Sequence, residues 1–346
     1  MGIQHKVTKR QKLLNDNGNI AEPGYALNQV WHYSRDDIKA SSFRIKEWDY
    51  YYIGTDDYGL CLTISDCGFV GTVSASLLDF KAKTQINKTA LKLFPMGSMR
   101  LPNTPDIGDI YGKAGLADFA FENDGKEKHL TGVFNKFYGN LDPLVFDITL
   151  YDIPKDHMVI ATPFNKNKHF YYNQKTNTLK AKGYFTIKGE EYSFDQNKGL
   201  ATLDWGRGVW TYNNTWYWSS LNGYLDDGTL FGWNLGYGFG DTSKASENMI
   251  FINGIAHKLD EVTFNIPSKD GKDDFISPWT FASNNGTFNA TFEPIIDRYD
   301  PLDLKFLVMI PHQVFGRFTG EVQLEDGKVI KFNNLLGFAE KVHNKW

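Results

Sequence analysis

Cysteine and histidine are scarce in this sequence of 346 residues, which limits the metal and redox chemistry that it can support. Cys61 and Cys67 are spaced neither as a zinc pair nor as a CxxC redox pair, so we expect both to be packing residues. The eight histidines form no HExxH motif and no pair three to five residues apart. The sequence therefore offers no support for a zinc site.

Nucleotide-binding loops are missing as well. Gly236, Gly238 and Gly240 imitate a glycine-rich phosphate loop, but they lie in an aromatic segment that no helical pattern follows. The sequence also has no GxSxG nucleophile elbow and no Walker loop. We therefore expect a protein that works without a metal and without any other cofactor.

Charge and hydropathy argue against two classes of partner. Lys and Arg total 37 against 41 for Asp and Glu, and the net charge of -4 offers no long-range attraction for nucleic acid or an anionic membrane. No apolar run reaches the roughly 18 residues of a membrane span, and the basic N-terminal segment lacks the apolar core of a signal peptide. These features predict a cytoplasmic protein with no nucleic-acid partner and no transmembrane segment, and they leave the oligomeric state open.

Aromatic side chains are abundant and make up 15% of the chain. So much aromatic surface requires burial or a partner, which excludes a disordered protein. Asp-Gly and Asn-Gly dipeptides, which favour tight hairpin turns, recur at 124–125, 227–228, 253–254, 270–271, 285–286 and 326–327. Between them the apolar residues alternate with period two, and no segment has a capped helical period. The pattern predicts an all-β protein whose sheets form barrels or sandwiches.

A weak internal repeat indicates two similar halves. Residues 56–71 align with residues 226–241 at an offset of 170, matching Leu60 with Leu230, Gly68 with Gly238 and Phe69 with Phe239. An offset near half the chain is typical of a tandem duplication. The length also allows one large β domain, but the repeat favours two. We place the boundary in the polar stretch around residue 175, giving domains 1–175 and 176–346.

The segment DWGRGVWTY at 204–212 has the densest group of candidate functional residues. Asp204 and Arg207 are expected to form a buried pair, with Trp205, Trp210 and the nearby Trp218 providing aromatic faces. Such a pair serves equally well as a catalytic site or as a latch that holds the fold.

Three further carboxylates are candidates for lining a polar site or transferring protons. On a strand, Glu47 and Asp49 share one face, so they could line a wall together, and Glu340 follows an apolar strand. Carboxylates in a partly apolar pocket acquire the separated pKa values that acid and base roles require. A solvated strand edge is the alternative interpretation for Glu47 and Asp49.

Several blocks of the sequence carry a family resemblance: RIKEWDYYYI, LDWGRGVWTYNNTWYWSS, ENMIFINGIAHKL, VFGRFTGEV and LLGFAEKVHNKW. They resemble successive blocks of the bacterial domain-of-unknown-function 2804 family and, more distantly, the AttH and carotenoid 1,2-hydratase (hydroxyneurosporene synthase) group. This resemblance implies two lipocalin-like barrels with a ligand cavity at one barrel or between them. The hydratases have an Asp-His-x-Trp-Gly block linked to acid chemistry on an alkene. The resemblance carries its Asp over to Asp204, but the His has no counterpart here.

Three functions are compatible with these observations. The first is a cofactor-independent hydratase, cyclase or isomerase acting on a hydrophobic or amphipathic molecule. The second is a non-catalytic binder of a lipid or other small hydrophobic ligand, and the third is glycan binding or cleavage. The candidate catalytic residues are Asp204, Glu47 and Glu340, and the candidate substrate-binding residues are Arg207, Trp205, Trp210, Trp218 and Asn222.

Overall fold

The computed structural model describes residues 4–139, 141–194, 198–303, 305 and 307–346. It is built from β-strands and two short 3-10 helices, Arg35–Asp37 and Ser42–Arg44, which confirms the predicted all-β class. The strands are β1 (Gln11–Lys12), β2 (Gly24–Ala26), β3 (Trp31–His32), β4 (Ile45–Gly54), β5 (Tyr58–Asp66), β6 (Val70–Asp79), β7 (Thr84–Leu93), β8 (Ile110–Ala114), β9 (Ala117–Asn123), β10 (Lys128–Tyr138), β11 (Asp142–Tyr151), β12 (Met158–Pro163), β13 (Phe170–Ile187), β14 (Glu190–Phe194), β15 (Leu200–Val209), β16 (Asn213–Tyr224), β17 (Leu230–Tyr237), β18 (Met249–Ile252), β19 (Ile255–Lys258), β20 (Val262–Asn265), β21 (Ser268–Lys269), β22 (Lys272–Asp273), β23 (Trp279–Ser283), β24 (Phe288–Tyr299), β25 (Leu302–Asp303), β26 (Val308–Gln323) and β27 (Val329–Lys345).

The first large sheet is a nearly closed, lipocalin-like barrel. Its main path runs β7-β6-β5-β4-β15-β13-β11-β10-β9-β8, and β2, β12 and β14 pair at its side. Alternate residues of each strand point into the barrel, where they form the largest apolar core. On β4, for example, Tyr51 and Ile53 belong to this core, while Tyr50 and Tyr52 point outward.

The second large sheet is a half-barrel. Its order is β19-β18-β17-β16-β27-β26-β24-β23-β20, with β25 paired to β26. Its concave side holds a separate aromatic core that includes Phe231, Trp233 and Leu235 of β17. These are the residues whose alternation along the sequence predicts one shared strand face.

The two sheets pack with their outer faces together. Tyr50 and Tyr52 of β4 contact Trp218, Phe315 and Phe338 of the second sheet. The ring centroids of Tyr52 and Phe315 are 5.1 Å apart, and those of Tyr50 and Trp218 are 5.9 Å apart. Burying a large apolar side chain contributes roughly 1.5–3 kcal/mol, so this aromatic layer holds the halves together strongly. We call the space between the two outer faces the inter-sheet layer.

Sheet membership changes later in the chain than the boundary drawn from the sequence. Position 175/176 falls inside β13, which pairs with β11, β12, β14 and β15 of the first sheet. The first sheet continues through Val209, and the second begins at Asn213. The stretch resembles a linker in the sequence because this part of β13 carries polar side chains on both faces, Gln174 and Thr176 on one and Asn173 and Lys175 on the other.

The weak repeat corresponds to equivalent hairpins. Residues 56–71 include the turn between β4 and β5, and residues 226–241 include the turn between β16 and β17. Each hairpin starts a run of consecutive antiparallel strands, β4 to β7 in the first sheet and β16 to β19 in the second. No helix in the described part of the chain is long and apolar enough to cross a membrane.

Candidate functional site

Strand β15 separates the predicted site residues into two groups. Its inward face carries Trp205 and Arg207, and its outward face carries Asp204. The expected pair of Asp204 and Arg207 is wrong, because residues three apart on a strand point to opposite faces. Arg207 instead pairs with Asp49, and Asp204 pairs with Lys175.

The inward group, which we call the barrel latch, consists of Glu47, Asp49, Arg35, Arg207 and Tyr33. Arg207 donates from Nη2 to Oδ1 of Asp49 at 2.9 Å, and its Nε lies 3.8 Å from Oε1 of Glu47. Tyr33 donates to Glu47 Oε1 at 2.7 Å, and Arg35 donates to the other oxygen of Glu47. As the alternation predicts, Glu47 and Asp49 lie side by side on one wall.

The barrel latch has equal numbers of carboxylates and guanidiniums, and its centre is shielded from water. The Arg207 side chain is 0% exposed, and its guanidinium also donates to the backbone carbonyls of Trp48, Gly206 and Pro102. Burial raises the pKa of Asp49, and the neighbouring Arg207 opposes that rise. Two carboxylates face two guanidiniums, an arrangement typical of a structural ion-pair network. The bond to Pro102 also ties the segment around residue 102 to the barrel wall.

The outward group, which we call the acid site, lies in the inter-sheet layer. Lys175 of β13 contacts Asp204 Oδ2 at 2.7 Å, and Asn173 donates to Oδ1 of the same carboxylate at 2.6 Å. The Lys175 ammonium also lies 3.6 Å from the ring centroid of Trp218 in the opposite sheet. Asp204 is buried, so its charge is held by these two partners rather than by water.

Glu340 of β27 is the second carboxyl of the acid site. Trp216 donates from Nε1 to Oε1 at 2.7 Å, and Gln313 donates from Nε2 to Oε2 at 2.9 Å. Burial raises the pKa of Glu340 to about 7; the bond from Trp216 and the charge of Lys175 oppose this rise, and the charge of Asp204 adds to it. A carboxyl with this pKa exchanges its proton near neutral pH.

Glu247 is the third carboxyl; it begins the block ENMIFINGIAHKL, but no motif within that block marks it as a site residue. It precedes β18, and its side chain lies over Gly236, where an added Cβ would be 1.6 Å from Oε1. Asn234 donates to the Glu247 carbonyl at 2.9 Å, and Gly236 N–H donates to the next residue, Asn248, at 2.8 Å. Burial raises the pKa of Glu247 to about 7, against the charge of Lys175.

Aromatic rings cover one end of the acid site. Trp48, Tyr171, Trp210, Trp216 and Phe239 form one cluster, with the rings of Tyr171 and Trp210 4.8 Å apart. Within the described chain, the buried Nε1 of Trp210 has no hydrogen-bond partner. Trp48 and Trp216 are only partly buried, so this end is nearest to solvent. An added Cβ at Gly206 would meet Trp48 at 2.2 Å, which means that glycine is required for Trp48 to lie flat across β15.

Asn222, the remaining predicted residue, lies away from both groups. Its Oδ1 accepts from Thr178 N–H at 2.7 Å, and its Nδ2 donates to Thr202 at 2.7 Å. It lines a cleft of about 850 Å³ between the sheets, to which Tyr52 and Arg317 also contribute. The buried hydroxyl of Tyr52 has no partner among the described residues. A second cavity, of about 670 Å³, lies against β23, β24, β26 and β27 and includes none of the predicted site residues.

The structure therefore brings together Asp204, Glu340, Trp210 and Trp218; it places Glu47 and Arg207 in the barrel latch, with the Trp205 ring beside the Arg207 guanidinium. Sequence reasoning missed five members of the acid site: Lys175, Asn173, Glu247, Trp216 and Gln313. A usable signal existed in NQKTNT, because six consecutive polar residues are compatible with a strand that has polar side chains on both faces as well as with a linker. No group of His, Cys, Asp and Glu suited to a metal ion occurs in the described ranges.

Comparisons with known proteins agree with this architecture. The structure is similar to that of kievitone hydratase from Nectria haematococca, with a TM-score of 0.56, 14% identity, and coverage of 97% of this chain and 98% of that one. It is also similar to a candidate AttH protein from Nitrosomonas europaea, with a TM-score of 0.53, 16% identity, and coverage of 90% and 96%. At these identities the likeness concerns the fold. No curated protein matches in sequence. One family, described as a domain of unknown function (DUF2804), matches residues 4–346.

Proposed function

The chain belongs to the DUF2804 family, whose function is unknown, and from this premise we propose that it is an acid–base enzyme acting on a hydrophobic or amphipathic small molecule between its two sheets. The observation that carries the proposal is Glu340, a buried carboxyl with a pKa of about 7 that is held by two side-chain donors. Such a group can give a proton to a substrate at neutral pH and recover it from solvent.

Neighbouring residues support specific roles. The Lys175 ammonium lies in the acid site, so it takes the substrate-binding role that was predicted for Arg207. Asp204 and Asn173 position Lys175, and Trp218 orients an apolar substrate. Trp48 and Trp216 keep partial exposure, so they are the side chains that an entering substrate would displace. In this scheme Glu340 donates its proton to an alkene or a similar group, which gives hydration or isomerisation.

The test is turnover by Glu340→Gln and Asp204→Asn variants. Kievitone is a suitable first probe, because one structural neighbour is a kievitone hydratase, and the product would gain the mass of one water molecule. We expect the wild type to convert the probe and Glu340→Gln to lose roughly 10²- to 10⁴-fold in rate while remaining folded. Glu293→Gln, at an exposed position of β24, is the matched control. Full activity in Glu340→Gln would refute the proposal.

A second candidate function is non-catalytic binding. The observation that favours it is the cleft of about 850 Å³, where the Tyr52 hydroxyl is buried without a described partner. A binder predicts that native mass spectrometry finds a small apolar molecule retained by the purified protein. It also predicts that Tyr52→Phe weakens retention, whereas Glu340→Gln leaves it unchanged.

A further inference from the structure

We propose that Glu247 is a second catalytic carboxyl of the acid site, acting as the base that activates water opposite Glu340. This inference rests on the proposed function and deepens it, because it fixes the reaction class as addition of water to a carbon–carbon double bond of an apolar molecule. It starts from the position of the Glu247 side chain and from its incomplete hydrogen bonding.

The Glu247 side chain is held in place, but one of its two carboxyl oxygens has no hydrogen bond from the described residues. The residue is 2% exposed, and Oε2 has no hydrogen-bond partner anywhere in the described ranges. Its carboxyl occupies the space that a side chain at position 236 would fill. The segment is fixed by the bonds from Asn234 and from the Gly236 N–H. A buried carboxylate oxygen without a donor is costly unless a water molecule or a ligand supplies one.

Glu247 and Glu340 flank the same indole. Trp218 of β16 lies directly opposite Glu340 of β27 on one side and Gly236 of β17 on the other. Directly opposed residues share a sheet face, and adjacent strands are about 4.8 Å apart, so the two carboxyls come from positions roughly 10 Å apart. Lys175 lies over the ring between them, and its charge acts on both glutamates. Two carboxyls at this separation can act together on one substrate and one water molecule, and in our proposal the Trp218 indole between them moves aside when the substrate enters.

Hydration then proceeds with balanced proton transfers. Glu340, as the carboxylic acid, gives its proton to one alkene carbon, and the π electrons form the new C–H bond. Glu247, as the carboxylate, takes a proton from water, and the water oxygen bonds to the other carbon to give an alcohol. Glu340 ends as a carboxylate and Glu247 as a carboxylic acid, and exchange with solvent restores both. Their similar pKa values, about 7 for each, allow this return.

The aromatic surroundings favour an alkene over a sugar. The same pair of carboxyls could cleave a glycoside, but the rings of Trp48, Tyr171 and Trp210 close one end of the site with apolar surface. Hydrolysis of a glycoside probe such as 4-nitrophenyl glucoside, without hydration of kievitone, would overturn the assignment of reaction class.

The first experimental arm needs no substrate. In protein labelled with ¹³C at glutamate carboxyls, infrared difference spectra between wild type and Glu247→Gln isolate the titration of Glu247. The charges of Lys175, Asp204 and Lys258 act on Glu247, and our proposal adds the Glu340 carboxylate, which lies across Trp218 from it. Replacing Glu340 by Gln should remove a like charge and lower the midpoint for Glu247 by roughly one pH unit. Glu293→Gln should leave the midpoint unchanged. An unaltered midpoint in Glu340→Gln would mean that the carboxyls do not share a site.

The second arm uses chemical rescue. Glu247→Ala should lose at least about 10²-fold in kievitone hydration, and added formate should restore part of the rate by supplying a carboxylate. A merely structural residue would not respond to formate. If Glu247→Ala fails to fold, the rate of Glu247→Gln is measured instead. If kievitone is not converted, the infrared titration alone tests whether Glu247 and Glu340 share a site. Loss of activity in Glu340→Gln together with full activity in Glu247→Gln would overturn this inference while leaving the proposed function intact.

Discussion

The barrel latch and the acid site lie on opposite faces of β15, and they differ in how their buried carboxyls are paired with cations. In the latch, Glu47 and Asp49 face Arg35 and Arg207, so each carboxylate has a guanidinium. In the acid site, Lys175 is the ammonium in contact, while Asp204, Glu247 and Glu340 all feel its charge. A buried carboxylate with its own guanidinium stabilises the fold, whereas Glu247 and Glu340 have no ion-pair contact within the described chain and keep raised pKa values.

Removing the cation from each group should give the largest contrast. Arg207→Met leaves Asp49 buried without its guanidinium, and we expect a loss of about 3–5 kcal/mol in the free energy of unfolding. Lys175→Met should cost less, because Asp204 keeps the hydrogen bond from Asn173, and Glu247 and Glu340, with pKa values of about 7, can take up protons. Urea unfolding at neutral pH measures both. Equal losses would remove the distinction between the two groups.

The pH dependence of stability should sharpen the same contrast. Glu340 has a pKa of about 7 in the folded protein, above its ordinary value of 4.5, so the folded state binds more protons between these values. Stability of the wild type relative to Glu340→Gln should therefore fall as the pH rises from about 4.5 to about 7, by roughly 2–4 kcal/mol, and then level off. Unfolding curves for both proteins across this range provide the measurement. Parallel curves would show that Glu340 titrates normally.

A smaller effect should follow from a single hydrogen bond. Trp216→Phe removes the donor to Glu340 Oε1, which should destabilise the carboxylate and raise the pKa of Glu340 further, by about half to one unit. Trp210→Phe is the matched control, because Trp210 Nε1 has no partner in the described chain. The infrared band of the protonated carboxyl, followed against pH, distinguishes the two variants. A shift of the same size in both would assign the effect to packing.

The fold was largely predictable, because period-two alternation and glycine turns are local properties of the chain. Phe231, Trp233 and Leu235 point into the half-barrel as their spacing indicates, and the family resemblance already implied two lipocalin-like units. The change of sheet after Val209 was not predictable from composition, because β15 belongs to the first sheet through its pairing with β4, a strand distant in sequence.

The acid site was only half predictable for a related reason. Asp204, Trp210 and Trp218 are predicted because they stand in dense aromatic segments, and Glu340 is predicted because it follows an apolar strand. Lys175 and Glu247 were not predicted, although Lys175 lies in NQKTNT and Glu247 begins ENMIFINGIAHKL, because each acquires its role from residues across the interface. Glu47 was selected for its neighbours, yet the face on which it lies places it with Arg207 inside the barrel.

Because the Lys175 ammonium lies above Trp218, the fluorescence of that indole should report changes in the local electric field. A full positive charge 3.6 Å from the ring centroid imposes a strong electric field on the indole, and Asp204 partly offsets that field. Indole emission depends on the local field, so its wavelength should change when a neighbouring carboxyl gains or loses a proton. Ligand arrival or proton transfer could then be followed optically in the unlabelled protein, before any reaction product is known.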